Sequence, residues 1–413
     1  MKDKSHLAIN GGSPAVKSLP DRYFFGKEER DAVTGLIDKL AANGGRPGYN
    51  GPEEEAFCKE FSEFMGGGYA DGVNSGTNSI FVALKALHLP PFSEVVTGCV
   101  SDAGGIMPVV LNDCIPVPAD AAPGSFAPGP AEIEARITER TSAILVAHIF
   151  GDPCDIEGIV KVAEKYNLPV VEDCAQAHMA SIHGRKVGSF GTIGCFSIMF
   201  GKHFCAGGQG GLVFTRDEQL GLELKRSSDR GKAVGLPGRT NLYASLNCNM
   251  DEIHAVIGRE QLKKLPEIVR RRSEGVKYLW THGLEKLKGI TCPQLTMPEG
   301  YESSYWRMRL EFHPENMTCD MFEYIKALGA EGVPCDSYHY ACPFRQEWYV
   351  NRKNTFPWNS LEYKAFADQE YALPNIDKTF VSQFIVFLLE SYGKEELDQI
   401  IAAFRKVDEA FAR

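Results

Sequence analysis

The sequence predicts an α/β protein. An N-terminal segment and a large domain with a mainly parallel sheet between helices occupy residues 1–289, and a smaller C-terminal α+β domain occupies 290–413. Three observations predict this. Short apolar runs alternate with amphipathic helical stretches between residues 94 and 172, the pattern of parallel strands covered on both faces. The alternation stops near residue 290, where short strand-like pieces mix with helices. The chain has 413 residues, 44% of them hydrophobic, enough for two domains or one large unit with an appendage.

The elements follow in order. A helix is predicted over about 28–42, with Val33, Leu36, Ile37 and Leu40 as its apolar stripe and Asn43-Gly44 as its stop. A second starts at Pro52, where proline suits a first helical turn; Phe57, Phe61 and Phe64 share a face, and Gly66-Gly67-Gly68 ends it. Buried strands are expected at 94–97, 115–117 and 143–149, then a helix at about 157–166 and a strand at 168–172. A helix over about 251–265 turns Ile253, Val256, Ile257 and Leu262 inward, and Pro266 is expected to close it. In the C-terminal part, strand-like pieces lie between Ser304 and Glu311, with helices at about 318–328 and 395–410. The aromatic, irregular stretch 340–360 is long for a loop and is expected to shape a pocket.

A net charge of −10 argues against nucleic acid or an anionic membrane as partner. The longest apolar run, Phe384 to Leu389, is too short to span a bilayer. The twelve cysteines form no Cys-x-x-Cys pair, and the start of the chain does not read as a signal peptide; free thiols in a cytoplasmic protein are the expectation. Cys335, His339 and Cys342 lack a fourth ligand at a familiar zinc spacing, so no metal is expected.

The chemistry concentrates in two segments. In Phe196-Ser197-Ile198-Met199-Phe200-Gly201-Lys202-His203, a lysine stands five residues after a serine, in apolar surroundings and before the glycine-rich Gly207 to Gly211. Apolar surroundings disfavour the ammonium form, leaving an amine able to attack an aldehyde. Upstream, Val170-Val171-Glu172-Asp173 places a carboxylate at the carboxyl end of a strand, where sites gather in parallel sheets. Such a carboxylate holds a pyridine nitrogen protonated, so the two segments read as halves of a pyridoxal 5'-phosphate (PLP) site. A third element, Gly72 to Ser79, is a small polar turn opening a helix, with Thr77 and Ser79 hydroxyls beside free N–H groups that suit an anion. Gly201-Lys202 is followed by His203, which excludes a Walker loop.

With Ser75-Gly76-Thr77, Glu172-Asp173-Cys174-Ala175-Gln176-Ala177-His178 and Ser197 to Lys202 in this order, the chain resembles the PLP-dependent sugar aminotransferases of the DegT/StrS family. The resemblance runs from Leu7-Ala8-Ile9-Asn10-Gly11-Gly12 through Gly184 to Gly191 and on to Ala403 to Val407. It implies the type I fold of PLP enzymes, with Lys202 bonded to the cofactor aldehyde and moving the substrate proton. Asp173 would pair with the ring nitrogen, Gln176 would lie near the ring hydroxyl, and Gly76, Thr77 and Ser197 would hold the phosphate. Asn247 matches an asparagine that reaches the phosphate from the neighbouring subunit, which implies a homodimer with shared sites.

Three positions depart from the family pattern. Asp102 falls where an aromatic ring usually covers the cofactor, Asn249 replaces a usual arginine, and Gln209 replaces an acid in a lengthened turn. The implied activity is amination of a keto sugar or keto-cyclitol, with glutamine or glutamate as donor and His148, His178 and His339 as candidate substrate contacts. Two alternatives stand beside it. One is a sugar dehydratase, whose relatives carry histidine in place of the lysine. The other is a PLP-binding regulator without turnover.

Overall fold

Nine strands precede residue 216 in the computed structural model, which describes residues 4–22 and 24–413. They are β1 (Tyr69–Val73), β2 (Glu94–Gly98), β3 (Ile115–Ala119), β4 (Thr141–Ala147), β5 (Val170–Asp173), β6 (Ser181–Ile182), β7 (Arg185–Lys186), β8 (Ile193–Ser197) and β9 (Gly211–Thr215). Seven of them form the central sheet, in the order β1-β9-β8-β5-β4-β2-β3. Strands β3, β2, β4, β5 and β8 run parallel, and β9 is antiparallel to both its neighbours. Strands β2, β3, β5, β8 and β9 are buried along their whole length, as expected for a sheet covered on both faces.

The expected strands fall on β2 to β5, but β4 stops at Ala147 and the chain turns sharply at Phe150, whose φ of 61° is left-handed. The helices Lys27–Ala42 and Pro52–Phe64 match their expected spans. The helix expected to close before Pro266 does not. It runs from Glu252 to His282 straight through the proline. Pro266 lies on the exposed side, while Leu262, Leu265, Ile268, Val276 and Leu279 continue the buried stripe on both sides of it. Tertiary burial of that stripe outweighs the one backbone hydrogen bond that proline removes.

Beyond residue 289 come β10 (Ile290–Thr291), β11 (Tyr301–Glu302), β12 (Met308–Phe312), β13 (Cys335–Asp336) and β14 (Gln383–Val386). Four of these make an antiparallel sheet, β10-β12-β14-β13, and β11 pairs with β6 beside β7. The helix expected at 318–328 starts at Met321, because the Asp320 side chain caps it by accepting the Glu323 N–H. The last helix, Lys394–Phe411, packs on the helices Glu252–His282 and Met321–Ala330 and buries Ile400, Phe404 and Val407 in one core with Leu310 of β12 and Phe384 of β14. Packing crosses the boundary drawn at 289/290: Leu7, Val16, Val276 and Leu279 share a core with Leu310, Phe384 and Phe404. The stretch 340–360 is not an open loop throughout. Trp358 and the following Tyr363 are almost fully buried, and the Tyr363 hydroxyl donates to Glu94 at 3.0 Å. No helix among the described residues is long and apolar enough to cross a membrane.

Candidate active site

The carboxyl ends of β4, β5 and β8 lie side by side, with Ala147 opposite Asp173 and Asp173 opposite Cys195. Asp173 is therefore delivered by the sheet itself, buried, with one carboxylate oxygen accepting the Ala175 N–H at 3.0 Å. Burial raises its pKa; the Ala175 N–H and the Lys202 charge act in the opposite direction.

Past Ser197, the chain leaves β8 and folds back on the glycine-rich segment. The Ile198 N–H bonds the Gly210 carbonyl, and the Phe200 N–H bonds that of Gly208. A tight turn follows, closed by the Lys202 N–H on the Met199 carbonyl at 2.9 Å. It sends the Lys202 side chain inward, where Nζ lies 4.6 Å from the centroid of the Trp306 ring. Burial lowers the Lys202 pKa; Asp173 and Asp102 oppose the shift and Arg307 adds to it.

The turn is clamped from a distant part of the chain. Arg22 donates to the carbonyls of Lys202 at 2.6 Å and His203 at 2.8 Å. Glu390 pairs with Arg22 at 2.5 Å through one oxygen and with the buried Arg272 at 2.8 Å through the other. Neither Arg22 nor Glu390 is near Lys202 in sequence. Glu390→Gln leaves Arg272 buried without a counter-charge, so it is expected to cost about 3–5 kcal/mol of stability. Urea unfolding of wild type and variant measures this loss.

The polar turn after β1 opens the helix Gly76–Ala86, with Ser75 as its cap accepting the Asn78 N–H at 3.1 Å. The Gly76 and Thr77 N–H groups lie in the first turn, where no intrahelical carbonyl is available to them. This helix end abuts the end of β8: a β-carbon on Gly76 would stand 2.4 Å from Ser197 Cβ. A β-carbon on Gly104 would stand 2.3 Å from Thr77 Oγ1, and one on Gly105 3.1 Å from an Asp173 carboxylate oxygen. Backbone thus approaches closely around Thr77, Ser197 and Asp173. Gly76→Ala forces Ser197 aside at an overpacking cost of about 1–3 kcal/mol. Cofactor affinity is expected to fall roughly ten- to a hundredfold, as read by fluorescence titration of the cofactor-free protein.

The other residues singled out from the sequence take varied places. Asp102 is exposed and caps the turn Ala103–Gly105, accepting the Gly104 N–H at 2.8 Å. Gln176 accepts the Phe150 N–H at 2.9 Å and donates to the Tyr338 hydroxyl at 3.2 Å. Asn247 is exposed, in a bridge to Asp229, with its side-chain oxygen accepting from Asn249 at 2.6 Å. His148 does not reach a pocket. It is fully buried, its Nδ1 accepts the Cys154 N–H at 3.1 Å and its Nε2 lies 3.1 Å from Glu172. Glu172 also accepts the N–H groups of Gly188, Phe190 and Gly191, so this pair pins a turn to the sheet. His148, Glu172 and Cys174 group three potential metal-ligand atoms within 4.8 Å, yet the imidazole and carboxylate already serve these hydrogen bonds.

His178 is buried and its Nδ1 meets His203 Nδ1 at 3.3 Å; burial, then the Lys202 charge, bring its pKa down to about 3. His203 Nε2 donates to the Ser304 carbonyl at 3.0 Å, so this ring faces the core and does not stand in for Lys202. His339 is exposed and bonded to Ser337. Sequence reasoning missed Arg22, Trp306, Arg307 and Tyr338. The only local signal was the run Tyr305-Trp306-Arg307, aromatic and cationic just before an apolar strand.

The description that matches the chain, over residues 32–380, is the DegT/DnrJ/EryC1/StrS aminotransferase family. This chain belongs to that family. A UDP-N-acetyl-3-dehydro-alpha-D-glucosamine 3-aminotransferase of Acidithiobacillus ferrooxidans is 32% identical over 307 residues, covering 74% of this chain and 79% of the relative. An L-glutamine:2-deoxy-scyllo-inosose aminotransferase of Micromonospora echinospora is 33% identical over 325 residues, covering 74% of this chain and 75% of the relative. Among solved structures, an aminotransferase from Psychrobacter cryohalolentis superimposes with a TM-score of 0.79 at 28% identity, covering 94% of this chain and 97% of that one.

The DegT/DnrJ/EryC1/StrS protein described here is accordingly a PLP-dependent aminotransferase of fold type I. Its residues fit that cofactor. A buried amine of lowered pKa suits an aldehyde, a buried carboxylate of raised pKa suits a protonated pyridine nitrogen, and a helix N-terminus packed tightly on a serine suits a phosphate.

Proposed function

We propose that this aminotransferase moves an amino group from glutamine or glutamate to the ketone of a sugar or cyclitol. The carrying observation is the buried Lys202 amine, set over Trp306 and opposed by Asp173 at the end of β5. The two relatives named above, one acting on a keto sugar and one on a keto-cyclitol, support the substrate class.

In this reading, Lys202 binds the cofactor aldehyde and carries the proton between substrate carbon and cofactor. Asp173 holds a proton on the ring nitrogen, and Gln176 stands near the ring hydroxyl. The Gly76 and Thr77 amides with the Ser197 hydroxyl hold the phosphate, and Asp102 faces the cofactor where relatives place a ring. The bound cofactor supplies the electron sink. Low burial-tuned basicity keeps Lys202 able to accept the proton at neutral pH.

The reading extends to a homodimer in which Asn247 of each protomer completes the other's phosphate site. Exposed Tyr49, Leu242 and Leu246 near Asn247 give the apolar surface such an interface needs. Mixing Lys202→Ala with Asn247→Ala protomers is expected to restore activity that neither variant shows alone, since one site per mixed dimer is intact. Twelve free cysteines, ten of them buried, suit the reducing cytoplasm.

The test uses the PLP-loaded protein. Added glutamine or glutamate is expected to remove the yellow absorbance, and a panel of keto sugars and keto-cyclitols to restore it. Failure of every amino donor to change the spectrum would overturn the reading in favour of a binding protein without turnover.

A further inference from the structure

Asp102 is a carboxylate to which the transamination steps above give no chemistry, and its place in the fold is fixed. The Ser101 N–H beside it donates to the Ala341 carbonyl at 3.1 Å. Asp102 Oδ1 accepts the Gly104 N–H at 2.8 Å and caps the turn Ala103–Gly105. That turn is wedged between two other parts of the site. A β-carbon on Gly104 would stand 2.3 Å from Thr77 Oγ1 and 3.1 Å from Asp102 Oδ1, and one on Gly105 would stand 3.1 Å from an Asp173 oxygen. In the proposed reading Thr77 lies at the phosphate end of the cofactor and Asp173 at its ring nitrogen. The turn that carries Asp102 therefore spans the ring between them.

The charges around Lys202 can be assigned one by one. Asp173, at the end of β5, is committed to the ring nitrogen in that reading. Arg307, just ahead of β12, is a cation and disfavours a second positive charge at Lys202. His178 and His203 are kept neutral by burial, and burial likewise keeps Tyr338 a neutral phenol. Arg22 reaches the backbone carbonyls of Lys202 and His203, not the amine. Asp102 is left. It is exposed, only one of its oxygens is bonded, and no cation among the described residues lies within ion-pair distance of it. Its charge acts on Lys202 in the same sense as that of Asp173, favouring a positive nitrogen.

The family pattern places an aromatic ring here, which covers a cofactor by stacking. A carboxylate cannot stack; what it offers is charge. When Lys202 Nζ bonds the aldehyde carbon and water leaves, the nitrogen becomes an imine, which is most electrophilic while it carries a proton. Burial and Arg307 both work against that proton.

We infer that Asp102 supplies the negative charge that keeps the Lys202–cofactor imine protonated. This rests on the reading in which Lys202 carries the cofactor. The protonated imine is the form that a donor amine attacks, so Asp102 widens the pH range over which the enzyme accepts its donor.

The experiment is an absorbance pH titration of PLP holoenzymes of verified cofactor content and melting temperature. It compares wild type with Asp102→Asn, Asp102→Ser and Asp102→Glu. Asparagine and serine keep an oxygen for the Gly104 N–H and lose the charge, whereas glutamate keeps the charge. The yellow protonated imine is expected to lose its colour at a pH roughly one unit lower in Asp102→Asn and Asp102→Ser than in wild type. Asp102→Glu should stay nearer to wild type. Added salt should lower the wild-type midpoint toward that of Asp102→Asn, because screening weakens an exposed charge. The alkaline limb of the donor half-reaction should move down with the imine.

An unshifted or raised midpoint in Asp102→Asn and Asp102→Ser would overturn the inference. So would a fall in Asp102→Glu as large as that in Asp102→Asn, which traces the effect to shape and not to charge. Poorer use of amine-bearing ketones with no shift of the midpoint assigns the carboxylate to the acceptor and also overturns it. If borohydride fixes no cofactor on Lys202 of wild type, the underlying reading fails first and takes this inference with it. If Asp102→Asn does not fold, the Asp102→Ser titration carries the same test.

Discussion

Lys202→Ala is expected to abolish turnover, with a fall of roughly 10⁴-fold or more, because it removes the proposed covalent tether and proton carrier together. The structure gives reason to expect a folded variant. The turn at residue 202 is held by backbone groups, the Lys202 N–H on Met199 and the Lys202 and His203 carbonyls on Arg22, and alanine keeps all of them. What is lost is the buried amine above Trp306. Two measurements check this. Borohydride reduction of the PLP-loaded wild type should fix the cofactor on the peptide carrying Lys202, and the variant should take no label. Donor-dependent bleaching of the cofactor should vanish in Lys202→Ala and return in part with a small added amine such as ethylamine. A variant retaining more than about a hundredth of wild-type turnover is inconsistent with a proton-carrying role worth 10²–10⁴-fold.

Asp173→Asn is expected to lower kcat by roughly 10²–10³-fold, the second largest effect, while leaving the sheet intact. Asparagine has nearly the shape of aspartate and still offers an oxygen to the Ala175 N–H. It cannot hold a proton on a pyridine nitrogen, so the electron sink weakens while cofactor binding through the phosphate cradle persists. Donor single-turnover rates at saturating cofactor separate the two effects.

The same residue gives a pH signature in the cofactor-free protein. Burial raises the Asp173 pKa above its unfolded value, so between those two values the folded state binds more protons than the unfolded one. The Asp173 contribution to stability is thus present in acid and declines as pH rises through that window, starting near an unfolded pKa of about 3.9. Asp173→Asn removes this decline. Urea midpoints of cofactor-free wild type and variant should therefore converge at low pH and separate, in the variant's favour, as pH rises.

Much of the candidate site could be proposed from the sequence because its parts are local motifs. Gly76, Thr77 and Ser79 open one helix, Asp173 and Gln176 lie three residues apart at a strand end, and Lys202 stands in the turn just beyond Ser197, the last residue of β8. Short-range backbone geometry ties such residues together, so spacing alone reports them. Strands β1, β8 and β9 were harder. Tyr69-Ala70-Asp71-Gly72-Val73 and Ile193-Gly194-Cys195-Phe196-Ser197 carry glycine and polar residues that lower strand propensity. They are strands because burial between neighbours compensates, a context no local window contains. Pro266 erred the other way. A strong local stop signal was overridden by a stripe of buried residues on both sides of it. The histidines show a third limit. His148 and His178 stand at plausible positions, and only their burial and hydrogen-bond partners reveal one pinned to Glu172 and the other paired with His203.

The sequence by itself determined the α/β class, the strands β2 to β5 and the family, and it singled out the lysine and carboxylate of the candidate site. Each of these is written in residues close together along the chain. Tertiary structure alone decided that Arg22, Arg272 and Glu390, from three distant segments, clamp the lysine turn, and that Trp306 brings Arg307 beside Lys202. Charge pairing and ring packing act through space over a few ångströms, and the order of residues along a chain does not record which distant groups the fold will bring within that reach.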